Sequence, residues 1–139
     1  MRPDIEDYLQ SIADAFLSGD IRFLLRRFAR PMVVYRPGSI ALNATGQDLH
    51  LALSAMMIGL KDVGAVSARI LIHEIIEEPS IGSISCDFDV EYLDAKGNSR
   101  QRSRLRYFLE PFASSYRIVM VDYEKAAFDA IFETMQRQH

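Results

Sequence analysis

Few side chains in this 139-residue sequence are equipped for chemistry, and those few are scattered. His50 and His73 are its two internal histidines, and a histidine beside a carboxylate could move protons near neutral pH. Asp122 follows Ile118 and Met120 on one predicted strand face, which would aim it inward as a general base. The same aspartate immediately precedes Tyr123-Glu124-Lys125, where it would serve equally as the N-cap of a helix. Glu74 sits in an otherwise apolar stretch and is a further carboxylate candidate, although a bend or edge that exposes it is the plainer account. Arg36, just before Pro37-Gly38, offers a forked cation that could grip a carboxylate or phosphate. No HExxH, histidine cluster, CxxC, GxSxG or glycine-rich phosphate loop occurs, so no metal centre and no cofactor are expected. The catalytic candidates are thus Asp122, His50, His73 and Glu74.

Bulk properties narrow the classes further. Hydrophobic residues make up 49% and charged residues 25%, an ordinary globular balance. A formal net charge of -3 gives no general attraction to nucleic acid or to an anionic membrane, and neither partner is expected. The longest nearly apolar run, Leu51 to Leu60, is too short to span a bilayer. Cys86 is the only cysteine, which excludes an intrachain disulfide or a cysteine-built zinc site. The N-terminus lacks an apolar signal core, and a cytoplasmic location is the expectation.

These residues must be positioned by elements legible in the spacing. Ile5, Tyr8, Leu9, Ile12, Phe16 and Leu17 recur at helical intervals behind acidic Asp4, Glu6 and Asp7. Ser18-Gly19-Asp20 ends that helix and caps a second over Ile21 to Phe28, which stops before Pro31. Met32 to Tyr35 reads as a strand, Pro37-Gly38 as a turn, and Ser39 to Leu42 as a second short strand. A third helix opens at Thr45-Asp48 and carries Leu49, Leu53, Met56, Met57 and Leu60 on one face. Ala65 to Glu77 is a long strand, apolar on both sides at its centre and therefore expected inside the sheet. Ile84 to Leu93, Arg100 to Leu109 and Tyr116 to Tyr123 follow as strands. Phe128, Ile131, Phe132 and Met135 predict a closing helix. Without repeat, linker or low-complexity tract, residues 1–139 read as one α+β domain.

One pair of strands specifies its own register. Ile84, Cys86, Phe88, Val90 and Tyr92 alternate with Asp87, Asp89 and Glu91. Leu105, Tyr107 and Leu109 alternate with Arg100, Arg102, Arg104 and Arg106. A hairpin closed at Lys96-Gly97 sets arginines across from carboxylates and apolar residues across from apolar residues, so two patterns agree. This makes the arginine row a cross-strand ladder rather than a nucleic-acid stripe.

The element order is similar to that of the nuclear transport factor 2-like, or SnoaL-like, superfamily. The local resemblance lies in AFLSGDI at Ala15 to Ile21 leading into FARP at Phe28 to Pro31, in TGQDL at Thr45 to Leu49, and in SYRIV at Ser115 to Val119. It implies a cone-shaped half-barrel of curved, mostly antiparallel sheet around the N-terminal helices, with a pocket at its open end and a homodimer formed through the sheet. Members include isomerases, cyclases, dehydratases and pure binding modules, so the fold does not choose the function. The ketosteroid-isomerase roles do not carry over. Arg36 stands where the base would be, Ile12 falls near the tyrosine position, and Ser103 to Arg106 contain no carboxyl group. The expected pocket wall combines Tyr8, Ile12, Phe16, Met56, Met57, Phe88, Tyr107 and Met120, with Arg36 at its mouth. The first reading is a binding domain for a small apolar or amphipathic ligand. A cofactor-independent lyase or isomerase and a protein-interaction module using the sheet face are the alternatives.

Overall fold

The computed structural model of the chain describes residues 5–35, 42–44 and 46–123. Three helices, α1 (Ile5–Ser18), α2 (Ile21–Arg27) and α3 (Gly46–Asp62), accompany six strands. The strands are β1 (Phe28–Tyr35), β2 (Leu42–Ala44), β3 (Ser67–Glu78), β4 (Ser83–Leu93), β5 (Ser99–Phe112) and β6 (Ser115–Tyr123). They form one sheet in the order β2-β1-β6-β5-β4-β3, in which β1 and β6 run parallel and every other pair antiparallel. Asp4, Arg36, the Pro37-Gly38 turn, Thr45 and the expected last helix lie outside the described residues.

Local chemistry accounts for the helical layer. Ile5, Tyr8, Leu9, Ile12, Ala13 and Phe16 bury one face of α1, and Glu6 and Asp7 sit favourably at its positive end. Gly19 takes a φ of 74°, a conformation that side chains with a Cβ resist, and Asp20 accepts a hydrogen bond from the Phe23 N–H to start α2. The second helix ends one residue earlier than its spacing predicts, because Phe28 is already extended and begins β1. The described part of the second strand, β2, is Leu42–Ala44; residues 39–41 of the expected strand lie outside the described residues. In α3, Leu49, Leu53, Met56 and Leu60 are buried, while Met57 is half-buried at the margin of that face.

The β4–β5 register follows the sequence pattern. Asp87 pairs with Arg106, Asp89 with Arg104 and Glu91 with Arg102, and the turn is closed by Asp94 accepting from the Lys96 and Asn98 amides, with Gly97 at a φ of 82°. Arg102 and Arg104 reach a diagonal neighbour, while Arg106 lies 3.6 Å from Asp87 directly opposite. Arg104 donates to both Asp87 oxygens at 3.1 and 2.9 Å, and Arg102 donates to Asp89 at 3.2 and 2.7 Å. Arg69 of β3 extends the network to Glu91. On the other face Ile84, Cys86, Phe88, Val90, Tyr92, Leu105, Tyr107 and Leu109 are all buried. Fully burying a large apolar side chain is worth about 1.5–3 kcal/mol, against about 0.2–1 kcal/mol for an exposed ion pair, so the inner face supplies the stability and the ladder mainly fixes register.

Two expectations need correction. Among the described residues the long third strand is not internal: β3 is the edge of the sheet, and its second apolar side leaves Leu71 and Ile76 exposed. A run apolar on both faces signals two covered faces, and only one is covered by described residues. The second correction concerns β6. Leu109 pairs with Ile118 but Phe108 pairs with Met120, so one extra residue, Val119, bulges out of the ladder. Ile118 and Val121 therefore point inward, whereas Met120 and Asp122 lie opposite Phe108 and Arg106 on the outer face.

The ladder makes stability depend on acid. The Arg104 hydrogen bond leads the lowering of the Asp87 carboxyl below its ordinary range. For Asp89, burial raises the carboxyl, but hydrogen bonds and charge from Arg102 and His73 outweigh it. Groups with a depressed folded value stabilise fully above their unfolded value and lose that contribution as pH falls through the folded one. Thermal melts should be flat above about pH 5 and drop below about pH 4. Asp87→Asn with Asp89→Asn should shrink that drop; an unchanged acid profile would show the ladder does not contribute.

Candidate functional site

The inner face gathers most of the residues expected to form a pocket wall. Ile12 and Phe16 of α1 meet Phe88 of β4 and Tyr107 of β5, with Leu9 and Val90 beside them. The ring of Phe88 stands edge-on to Tyr107 at 5.0 Å. Together they leave a seam of only ≈ 10 Å³ between α1 and the sheet, room for no organic ligand as it stands. Tyr8 is tied by its hydroxyl, which donates to the Tyr116 carbonyl at 3.1 Å, and its ring packs edge-on to that tyrosine at 5.6 Å. Burial pushes the Tyr8, Tyr92 and Tyr107 hydroxyls above their ordinary values, so all three are neutral groups at physiological pH.

The acid–base candidates are elsewhere. His73 occupies the extra position in β3 between Ile72 and Glu74, and its Nε2 lies 3.2 Å from Asp89 on the outer face. Glu74 is exposed opposite Asp87 on that face, Asp122 shares it, and His50 is an exposed residue of α3. The structure thus joins one histidine to one carboxylate, although to Asp89, which already serves the ladder. Among the described residues no three His, Cys, Asp or Glu side chains converge as a metal site would require.

Open space lies at the ends of the helical layer. A groove of ≈ 430 Å³ runs between the C-terminal ends of α1 and α3, lined by Phe16, Leu17, Met57, Ile58, Lys61 and Val66 among others. Phe16 lines both this groove and the inner seam. Ile58 and Val66 are 61% and 60% exposed, an unfavourable place for large apolar side chains. A second opening of ≈ 480 Å³ lies between α2 and the β5–β6 turn. Two of the three arginines that line it are already engaged: Arg27 lies 4.3 Å from the Phe23 ring centre, and Arg117 stacks on Phe112 while paired with Glu110; Arg26 is the third.

Sequence reasoning named Phe16 and Met57 but missed Ile58, Lys61 and Val66. The signal was present: Ile58 falls off the Leu49-Leu53-Met56-Leu60 stripe, which marks it as an apolar residue without a core to join. Ser103 was also missed. It is 2% exposed on the inner face opposite Val90, and its hydroxyl has no hydrogen-bond partner among the described residues.

Comparison with known proteins agrees with this architecture. Residues 3–125 match the family described as NTF2-like protein (DUF6841), and the chain belongs to that family. An NTF2-like protein with a cystatin-like fold from Novosphingobium aromaticivorans superposes with a TM-score of 0.62 at 13% identity, over 91% of this chain and 85% of its own. Aln2 from a Streptomyces species gives 0.60 at 15% identity with both chains covered completely. A ketosteroid isomerase-like protein from Erwinia carotovora atroseptica gives 0.54 at 17% identity, over 87% and 92%. These similarities establish the fold: a cone-shaped, unclosed sheet with helices packed on it. No curated protein matches the sequence. Among the described residues no helix is long and apolar enough to cross a membrane.

An unsatisfied buried hydroxyl costs about 1–3 kcal/mol, which makes Ser103 a test of the inner face. Chemical denaturation of Ser103→Ala should show unchanged or increased stability. A clear loss would reveal that the hydroxyl has a partner there.

Proposed function

We propose that this NTF2-like chain is a cytoplasmic binding domain that holds a small apolar or amphipathic ligand between the ends of α1 and α3. Phe16 and Met57 would lie against its apolar body and Lys61 beside its polar end. The observation that carries this reading is the ≈ 430 Å³ groove itself, within the usual size of small-molecule sites and walled largely by apolar side chains. A ligand there would take Ile58 and Val66 out of water at a gain of about 25 cal/mol per Å². Methionine suits such a wall because its flexible thioether adapts to irregular shapes. A turn of the Phe16 ring would lengthen the groove into the seam beside Ile12, Phe88 and Tyr107, using more of the expected pocket wall.

Binding is favoured over catalysis by the placement of the acid–base groups. His73, Glu74 and Asp122 stand on the outer face, and His50 is exposed on α3. A lyase or isomerase would need one of them against the substrate. A second reading, a protein-interaction module that uses the sheet with a homodimer as its simplest form, is favoured by Leu71 and Ile76, exposed at the sheet's margin.

Calorimetric titration with dodecanoate and with dodecanol tests the ligand reading. Saturable binding of both is expected. Ile58→Asp, at an exposed position, should weaken both at least tenfold without changing the thermal melt, and Met57→Asp, at a half-buried one, should weaken both as well. Lys61→Glu should weaken dodecanoate alone. Arg36→Ala in the same assay asks whether the proposed anion anchor at the cone mouth takes part. Absence of binding, or binding indifferent to the Ile58 and Met57 changes, would overturn the groove.

A further inference from the structure

Among the described residues no strand occupies the side of β3 away from β4. Natural edges are usually short or strongly charged, yet this one is 12 residues long and leaves Leu71, Ile75 and Ile76 52%, 38% and 43% exposed. The facing of its side chains follows from the β4 register. Arg69, Leu71, Glu74 and Ile76 lie opposite Glu91, Asp89, Asp87 and Ser85 on the outer face. Ile70, Ile72, Ile75 and Glu77 lie opposite Val90, Phe88, Cys86 and Ile84 on the inner face. His73, the bulged residue, contacts Asp89 and so also points outward.

This order reads the same from both ends about a point between His73 and Glu74. Outward and inward residues mirror one another only because the bulge places two outward side chains side by side at the centre. An antiparallel pair of strands must match facing as well as register; a strand without a bulge would mirror about any of its residues, so the extra residue His73 leaves this one point as the centre for a twofold partner.

We propose that two copies of this chain join edge to edge through β3, antiparallel, about a twofold axis between His73 and Glu74. Leu71 then meets the partner's Ile76 and Ile72 meets the partner's Ile75. Arg69 meets the partner's Glu78, and His73 meets the partner's Glu74. Each pair occurs twice. The exposed aliphatic residues are covered by one another, and opposite charges close both ends. Arg69 already holds Glu91, but its side chain is 68% exposed and can accept a second carboxylate. Ile70 against the partner's Glu77 is the one mismatch. The ladder also ends itself: the next pair would set Ala68 against the partner's Pro79, which has no N–H, and the Ala68 carbonyl is already taken by Gln10 at 3.0 Å. The result is a continuous sheet through both copies, distinct from the dimer through the sheet faces that the family resemblance leads one to expect. It is independent of the ligand reading.

Charge reversal tests the register. In sedimentation velocity the native chain should dimerise reversibly. Arg69→Glu alone and Glu78→Arg alone each bring like charges together twice and should raise the dimer dissociation constant at least tenfold. An equimolar mixture of the two variants restores both pairs and should dimerise as the native chain does. Leu71→Lys, at an exposed position, should abolish association without lowering the melting temperature. A monomer at all concentrations overturns the proposal. So does a dimer indifferent to these changes, which would place the contact on another surface, or a mixture that fails to recover. Loss of dodecanoate binding with association intact would bear only on the ligand reading.

Discussion

The pairing of β4 with β5 is the constraint on which the other parts of the molecule lean. Its two faces have opposite chemistry, and a slip of β5 by one residue against β4 would send Leu105, Tyr107 and Leu109 into water while turning Arg102, Arg104 and Arg106 toward the core. The apolar face then receives α1, whose Leu9, Ile12 and Phe16 complete the seam. The polar face is left with a set of pre-formed ion pairs that exclude competing registers while adding little stability themselves. Every position considered above for binding is measured from this hairpin.

Its close packing decides where a ligand can go. Phe16, Phe88 and Tyr107 fill the space that a more open cone would offer, and room for a small molecule appears instead where α1 and α3 end. Packing also decides what the edge exposes. With β4 covered on both sides by neighbouring strands, β3 carries its aliphatic residues to the margin of the sheet, where an additional strand could cover them. The groove at the helix ends and the sheet edge both follow from a core that is closely packed between α1 and the sheet.

Much of this was legible from spacing, because the periods involved are local. The helical stripe from Ile5 to Phe16, the Gly19-Asp20 boundary and the charge-matched hairpin each follow from residues close in sequence or from two patterns that must agree. What failed depends on insertions of one residue. The Val119 bulge reverses the facing of Met120 and Asp122, so a strict alternation from Ile118 placed both on the wrong side. The bulge at His73 likewise brings that side chain to Asp89, a contact no spacing rule indicates. The position of β3 at the edge was missed for a different reason. Two apolar faces show that a strand is to be covered, but not whether the cover comes from its own chain. The candidate groove was only partly visible, since Lys61 and Val66 join Phe16 through the tertiary arrangement of two helix ends.

Native-state hydrogen exchange followed residue by residue tests the central role of the β4–β5 pairing most directly. Amides that bridge the two strands between Cys86 and Val90 and between Ser103 and Tyr107 should exchange slowest, only through global unfolding, with β1 and β2 opening earlier. If β4 and β5 instead exchanged through local opening while α1 or β1 stayed protected, the hairpin would not be the element around which the fold is organised.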